Sequence, residues 1–308
     1  MKIHTDFSTL EKVRNPVVTI GTFDGVHMGH RSILMQLQKL AAEVDGETVL
    51  LTFYPHPRMV LHPDDHQIDL LNTPEEKAKL LEMAGIDHLM IFSFSLDFSR
   101  RSPFEYVRDL LVTGLHAHTV VVGYDHRFGR NREGNHQTLL ELSEIFGFKV
   151  QEIPAKEIDH VNVSSTKIRT ALKQGEVKEA TQYLGYNYRI SGTVVAGNRL
   201  GRALGYPTAN ISPDYAYKLI PGNGIYAVIA HLHGRALNAV MSIGVRPTVT
   251  DSNLQTIEVY IIDFDGDIYG EKIQIEIVEY IRPELKFGSI DELKQHIALD
   301  IETAQKYF

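Results

Sequence analysis

The 308-residue chain carries 31 Lys and Arg against 39 Asp and Glu, a formal net charge of −8, with neither cysteine nor tryptophan. Zero cysteines exclude a disulfide framework, a thiolate nucleophile, a CxxC redox pair and any Cys-ligated zinc or iron–sulfur centre, and a net negative chain repels phosphate backbones, which argues against nucleic acid as a partner. The length suits roughly two domains, and with no apolar run near the roughly 18 residues of a membrane span and no apolar h-region in the opening MKIHTDFSTLEK, the chain reads as globular, cytoplasmic and free of the membrane.

Up to about residue 184, strand-like runs alternate with amphipathic helical ones, the pattern of a parallel sheet covered by helices in an α/β domain. The predicted strands are Val17 to Ile20, Thr48 to Tyr54, Leu89 to Phe94, Thr119 to Gly123 and Phe148 to Ile153. Thr73-Pro74-Glu75-Glu76 and Ser102-Pro103-Phe104-Glu105 each place a hydroxyl N-cap, a proline at the first helical position and a glutamate at the third. Gly85, Gly114 and Gly147 stand where C-caps belong. The helical stretch Glu176 to Leu184, followed by Gly185, sets the boundary between domains 1–184 and 185–308.

Beyond Gly185 the runs turn short and β-branched: Arg189 to Val195, Ile225 to Leu232, Ala236 to Ile243, Thr256 to Ile262 and Lys272 to Tyr280. His233-Gly234 and Asp265-Gly266 read as hairpin turns, so this half is expected to be an antiparallel barrel that hides its edges. Ser289 with Glu292 opens a last helix through a capping box. Net charge is −5 before residue 185 and −3 after it, so neither half is a basic nucleic-acid module.

Four segments in the first half carry chemistry. Gly21-Thr22-Phe23-Asp24-Gly25-Val26-His27-Met28-Gly29-His30 follows the first strand, with the next helix expected from Arg31. Glycines that let backbone N–H groups approach a ligand, and a helix N-terminus that favours negative charge, suit a phosphate. His27 and His30 can then donate hydrogen bonds to phosphate oxygens as charge grows at phosphorus. No GxxxxGK[ST] is present. A tight βα turn with surface histidines reads equally well, zinc on the histidine pair lacks an HExxH or cysteines, and a phosphatase nucleophile at Asp24 lacks its second acid because position 26 is valine. Phe53 to Pro57, Gly123 to Gly129 and Val163 to Arg169 also lie at strand ends, so all four should converge on the crevice outside the carboxyl edge of the sheet. Ser164, Ser165 and Thr166 can cap a helix and touch phosphate, with Arg169 offering a fork one turn on. Arg127, Arg130 and Arg132 read as a solvated basic loop.

In the second half, Gly197, Gly201 and Gly205 recur at fourfold spacing in a loop that can wrap an anion, with Arg202 supplying charge. Thr208 and Asn210 offer neutral oxygens two residues apart, which with substrate phosphates and water suit Mg²⁺. Phosphorylating a hydroxyl calls for a carboxylate to accept its proton, and Glu258 is a lone acid in an apolar strand; alternation leaves open whether it faces in or out.

Together these segments resemble the bacterial bifunctional riboflavin kinase/FAD synthetase family. The first half matches G-x-FDG-x-H-x-GH, PHP, G-x-D-x-x-FG and SST-x-IR; the second matches G-x-x-x-GR-x-LG-x-PTAN, IG-x-RPT, D-x-YG and IR-x-E-x-KF. Thr22, His126 and Tyr260 stand where Asn, Phe and His are commoner. The resemblance implies a Rossmann-like nucleotidyltransferase domain followed by a six-stranded riboflavin-kinase barrel. It implies that riboflavin and ATP give FMN, and that FMN and ATP then give FAD and pyrophosphate, with Mg²⁺ required. It assigns His27 and His30 to transition-state stabilisation and Glu258 to general base. It assigns Gly21, Phe23, Asp24, Gly25, Gly123, Asp125, Ser164, Ser165, Thr166, Arg169, Gly197, Gly201, Arg202 and Gly205 to ATP and phosphates, His56, Pro57 and Phe128 to flavin, and Thr208 and Asn210 to the metal. A flavin-binding carrier without turnover is the alternative.

Overall fold

In the computed structural model, which describes residues 1–10, 12–63, 68–154, 163–197, 201, 204–245 and 255–308, the apolar runs of the first half are β1 (Lys2–His4), β2 (Val17–Ile20), β3 (Thr48–Tyr54), β4 (His88–Ser93), β5 (Thr119–Gly123) and β6 (Lys149–Ile153). They pair in parallel throughout, in the order β1-β4-β3-β2-β5-β6. Side chains alternate between two cores: Val18, Val49, Leu51, Val120 and Val122 enter one, and Val17, Leu50, Leu89 and Val121 the other. Both faces are covered, which is why these strands read as continuous apolar runs rather than as alternating ones.

The crossovers are α1 (Met28–Glu43), α2 (Pro57–Leu61), α3 (Pro74–Met83), α4 (Leu96–Ser99), α5 (Pro103–Tyr106) and α6 (His136–Phe146). The Thr73 and Ser102 capping boxes form as read, each hydroxyl accepting from the third residue's N–H and each glutamate reaching back to the cap. Gly147 is a left-handed C-cap and Gly85 has φ +76°. Gly114 is not a C-cap. It closes a π-helical stretch, Val107–Gly114, and a Cβ there would lie 3.0 Å from the Phe7 ring. Close packing by that ring and by Asp109 O at 3.1 Å, not backbone handedness, is what favours glycine at this position.

The second half adds α7 (Ser165–Gln174), α8 (Val177–Leu184), β7 (Arg189–Val195), β8 (Ala209–Pro213), β9 (Gly224–Leu232), β10 (Arg235–Val245), β11 (Gln255–Ile261), β12 (Lys272–Arg282) and α9 (Ile290–Ala304). Its strands close a six-stranded barrel, β10-β11-β8-β7-β12-β9, by antiparallel pairs. His233 and Gly234, both at positive φ, form the two-residue turn between β9 and β10. Asp265-Gly266 is not a hairpin turn, because β11 pairs with β10 and β8 while β12 pairs with β7 and β9. The connection instead crosses the barrel end, held where Val194 N–H donates to Glu271 O and Gly270 N–H to Val194 O, both at 2.9 Å. At α9, Ser289 accepts from Glu292 N–H, but the Glu292 carboxylate takes the N–H of Gly288 rather than of the cap. Two strands escaped the sequence reading: β1 is only three residues long, and β8 lies in a polar, proline-flanked run.

The described residues form two compact units, Met1–Ile68 with Asn72–Ser164, and Asp69–Leu71 with Ser165–Phe308. Leu70 bridges Lys218 in parallel within the second unit, and Lys218 Nζ donates to Leu71 O at 2.7 Å. Among the described residues no helix is long and apolar enough to cross a membrane.

Candidate functional sites

The turn after β2 is strained and clamped. Phe23, Gly25 and Val26 have φ of +46°, +89° and +37°, and a β-branched residue at positive φ costs on the order of 1–3 kcal/mol. Asn72 holds the shape: Gly25 N–H donates to its Oδ1 at 2.9 Å, and its own N–H donates to Asp24 Oδ1 at 3.3 Å. Asp24, 2% exposed, therefore spends part of its carboxylate on the turn.

α1 begins three residues earlier than the expected Arg31, because the His27 ring serves as N-cap: Nδ1 accepts the His30 N–H at 3.3 Å. With Nδ1 an acceptor, a neutral His27 carries its proton on Nε2. The His27 and His30 rings stack with centroids 3.6 Å apart, and Phe23 packs on His30 at 4.8 Å. Burial, then the His27 and Lys77 charges, hold the His30 pKa well below its ordinary value, so its imidazole is neutral. Its Nδ1 has no hydrogen-bond partner among the described residues.

Lys77 went unread in the sequence. Its Nζ donates to Thr22 O at 2.7 Å, and burial lowers its pKa against the opposing pull of Asp24. It reads as an ordinary surface lysine of α3 until the fold sets α3 behind the turn.

A cleft of about 1,060 Å³ opens at the carboxyl ends of β2, β3 and β5, where an open parallel sheet binds ligands. Gly21, Phe23 and His30 line one part; Phe53, Phe94, Phe98, Tyr106 and Phe128 line another; and His56, Pro57, Gly123 and Asp125 complete it. Three of the four sequence segments thus meet. Of the fourth, Ser164 ends the first unit, whereas Ser165, Thr166 and Arg169 open α7 of the second, where Arg169 Nε donates to Asp69 O at 2.6 Å. Arg127, Arg130 and Arg132 are exposed, as a solvated basic loop would be, and all three also line the cleft. His126 lies there too, its pKa lowered to about 4, chiefly by burial.

In the barrel, Ile257, Val259 and Ile261 point inward and are buried, so alternation turns Glu258 and Tyr260 outward. Asn210 on β8 stands opposite Glu258 in register, and Ser242 on β10 stands opposite on the other side. Thr208 Oγ1 donates to Glu258 Oε2 at 3.3 Å. A Cβ on Gly197 would lie 2.1 Å from Asn210 Nδ2 and would displace the Asn210 side chain. Gly205 has φ +88°, and Arg202 lies outside the described residues.

Gly201, Thr208, Asn210, Ser242, Glu258 and Tyr260 line a second cleft of about 430 Å³, closed by Arg282 to Phe287 and by Leu293 and Ile297 of α9. Sequence reasoning noted the Ile281 to Phe287 motif but gave its residues no role. Asp300, 5% exposed, takes Arg282 in a two-point grip at 2.8 and 2.6 Å, and burial pushes the Glu284 carboxyl up. Among the described residues no three His, Asp or Glu converge to hold a metal; Thr208 and Asn210 offer only neutral oxygens, a set suited to a cation that brings its own phosphates.

Comparison with known proteins returns two family matches: FAD synthetase over residues 9–167 and riboflavin kinase over residues 184–308. The bifunctional riboflavin kinase/FMN adenylyltransferase of Listeria monocytogenes is 37% identical over 96% of this chain and 93% of its own. Those of Bacillus subtilis and Escherichia coli are 35% and 36% identical, over 97% and 95% of this chain and 94% and 92% of theirs. A solved structure from Streptococcus pneumoniae, described as a macrolide-efflux protein, superposes with TM-score 0.89 at 30% identity, covering 100% of this chain and 99% of that one.

Proposed function

The chain belongs to the bifunctional riboflavin kinase/FMN adenylyltransferase family, and from that premise we infer how its residues divide the two reactions. Riboflavin is phosphorylated by ATP to FMN, and FMN is then adenylylated by a second ATP to FAD with release of pyrophosphate. We assign adenylylation to residues 1–184 and phosphorylation to 185–308. The observation that carries this division is the separation of two chemistries: His30 lines one cleft with the His27 ring stacked on it at 3.6 Å, whereas Glu258 and Thr208 meet at 3.3 Å in the other.

In the kinase cleft, Glu258 accepts the proton of the riboflavin 5′-hydroxyl as its oxygen attacks the γ-phosphorus. Its outward direction on β11, beside Thr208 and opposite Asn210, supports this role. Thr208 and Asn210 would hold Mg²⁺, which neutralises charge on the ATP phosphates when bound. Gly197 lies against Asn210 and Gly201 against Tyr206 O, which supports a role for these glycines beside those phosphates. In the other cleft, a phosphate oxygen of FMN attacks the α-phosphorus of ATP. His27 and His30 donate N–H bonds to the phosphate oxygens as charge accumulates there, and the Gly21 to Gly25 turn and the N-terminus of α1 receive the nucleotide phosphates. The aromatic part of the cleft, with His56, Pro57 and Phe128, receives the flavin ring. A need for ATP at both steps argues for a cytoplasmic location.

The test is a pair of single substitutions in the full chain, given riboflavin, FMN, ATP and Mg²⁺ and analysed chromatographically. Glu258→Ala is expected to lower FMN formation on the order of a hundredfold while supplied FMN is still adenylylated, and His30→Ala to do the reverse. Equal loss of both activities in either variant would overturn the division.

A further inference from the structure

Five arginines line the cleft of the first unit, and the roles above use none of them: Arg58, Arg100, Arg127, Arg130 and Arg132. Arg100 faces Asp97 at 3.8 Å and Arg130 faces Glu133 at 3.3 Å. Arg58, Arg127 and Arg132 face no carboxylate among the described residues, and of these three only Arg132 has its backbone at positive φ. Asn131 and Arg132 are consecutive non-glycine residues at φ +51° and +58°, a conformation that persists only where the surroundings enforce it.

The enforcement is visible. Phe128 and Gly134 exchange two backbone hydrogen bonds, 3.1 and 2.9 Å, across the base of the loop. Arg130 N–H donates to Arg101 O at 2.7 Å. Gly129, at φ +72°, sits where a Cβ would fall 2.9 Å from Pro103 N, and a Cβ on Gly134 would fall 2.7 Å from the Phe128 ring. The loop is thus pinned at both ends, and the strain is spent on presenting Arg132.

Arg132 lines the same cleft as His126 and Phe128. The His126 ring lies nearly parallel to Phe128, centroids 5.8 Å apart and 24° between planes. Burial lowers the His126 pKa to about 4, so at neutral pH the positive charge here comes from the arginines, Arg132 among them. The nucleotide end has its own anion site in the glycine turn and the N-terminus of α1. A flavin seated against Phe128 carries one anionic group, its phosphate ester, and a planar guanidinium matches phosphate in two-point geometry.

We propose that Arg132 is a specificity-determining residue of adenylylation: its guanidinium grips the phosphate of the flavin substrate, so that the cleft accepts a flavin phosphomonoester in preference to the dephosphorylated flavin. This rests on the assignment of adenylylation to the first cleft.

The test is steady-state kinetics on the full chain with FMN and ATP varied separately, for Arg132→Ala, Arg132→Lys and Arg132→Gly. In the alanine variant KM for FMN is expected to rise on the order of ten- to a hundredfold, with kcat and KM for ATP within about twofold. Lysine, which keeps charge but loses the fork, recovers part of the loss. Glycine, which relieves the positive φ, behaves as alanine because the guanidinium is the acting group. Riboflavin phosphorylation and the melting temperature stay at wild-type values, which separates lost recognition from lost folding. Unchanged KM for FMN in an active enzyme, a rise in KM for ATP instead, or a glycine variant with wild-type KM would each overturn the proposal. A wild-type chain that makes no FAD from FMN would overturn the functional reading itself.

Discussion

At the scale of single residues, the first cleft keeps charge off one of its histidines. Burial first, then the His27 and Lys77 charges, hold the His30 pKa well below its ordinary value, so its ring is neutral across the neutral range. The same arrangement has a stability consequence. The folded pKa lies below the ordinary 6.5, so as pH falls below about 6.5 the unfolded chain binds a proton that the folded chain refuses, and stability falls with pH. Wild type should lose stability relative to His30→Gln with a slope approaching about 1.4 kcal/mol per pH unit between pH 6.5 and 5. Denaturant titrations at three pH values measure it, and parallel curves for the two proteins would contradict it. The histidine pair was legible in the sequence because both residues lie in one short motif. Lys77 was not: its role depends on Thr22 O, 55 positions away.

At the scale of elements, glycine positions record contacts more often than turns. Gly192 on β7 faces Ile211 Cγ2 and Ser212 O on β8, each 2.6 Å from where a Cβ would stand. Backbone cannot yield as a flexible side chain can, so Gly192→Ala should cost about 1–3 kcal/mol through overpacking. Equilibrium unfolding checks this, and an unchanged midpoint would show that β8 shifts freely. Because β8 carries Asn210 and follows Thr208, the kinase rate should fall with it. The helices were easy to read because Thr73 and Ser102 declare their caps within four residues. β8 was hard because nothing local marks it as a strand; it is extended because β7 and β11 hydrogen-bond to it on both sides.

At the scale of the whole molecule, each cleft is lined by residues of one compact unit, and the product of the kinase is the substrate of the adenylyltransferase. If FMN leaves one site before entering the other, a mixture of Glu258→Ala and His30→Ala chains should convert riboflavin to FAD although neither variant does so alone. Time-resolved chromatography of the mixture shows free FMN first and FAD after a lag. A mixture that makes FMN but no FAD, while Glu258→Ala still adenylylates supplied FMN, would mean that FMN passes only within one chain. The net charge of −8 is compatible with anionic substrates only where local groups, not the overall field, hold them.

The sequence by itself determined the parallel and antiparallel halves, the helix starts and the motifs of both reactions. Each of these is written in local terms: strand and helix periods, capping hydroxyls, and glycines at fixed offsets from histidine, threonine or asparagine. Only the tertiary structure decided that Glu258 faces the outer cleft, that β11 and β12 do not pair, that Gly114 serves packing, that Lys77 reaches the Thr22 carbonyl and that Arg132 lines the first cleft. Those outcomes depend on strand register, barrel closure and the approach of distant segments. Such contacts are fixed by which pairings bury the most surface and leave no backbone group unpaired, a property of the whole chain and not of any window along it.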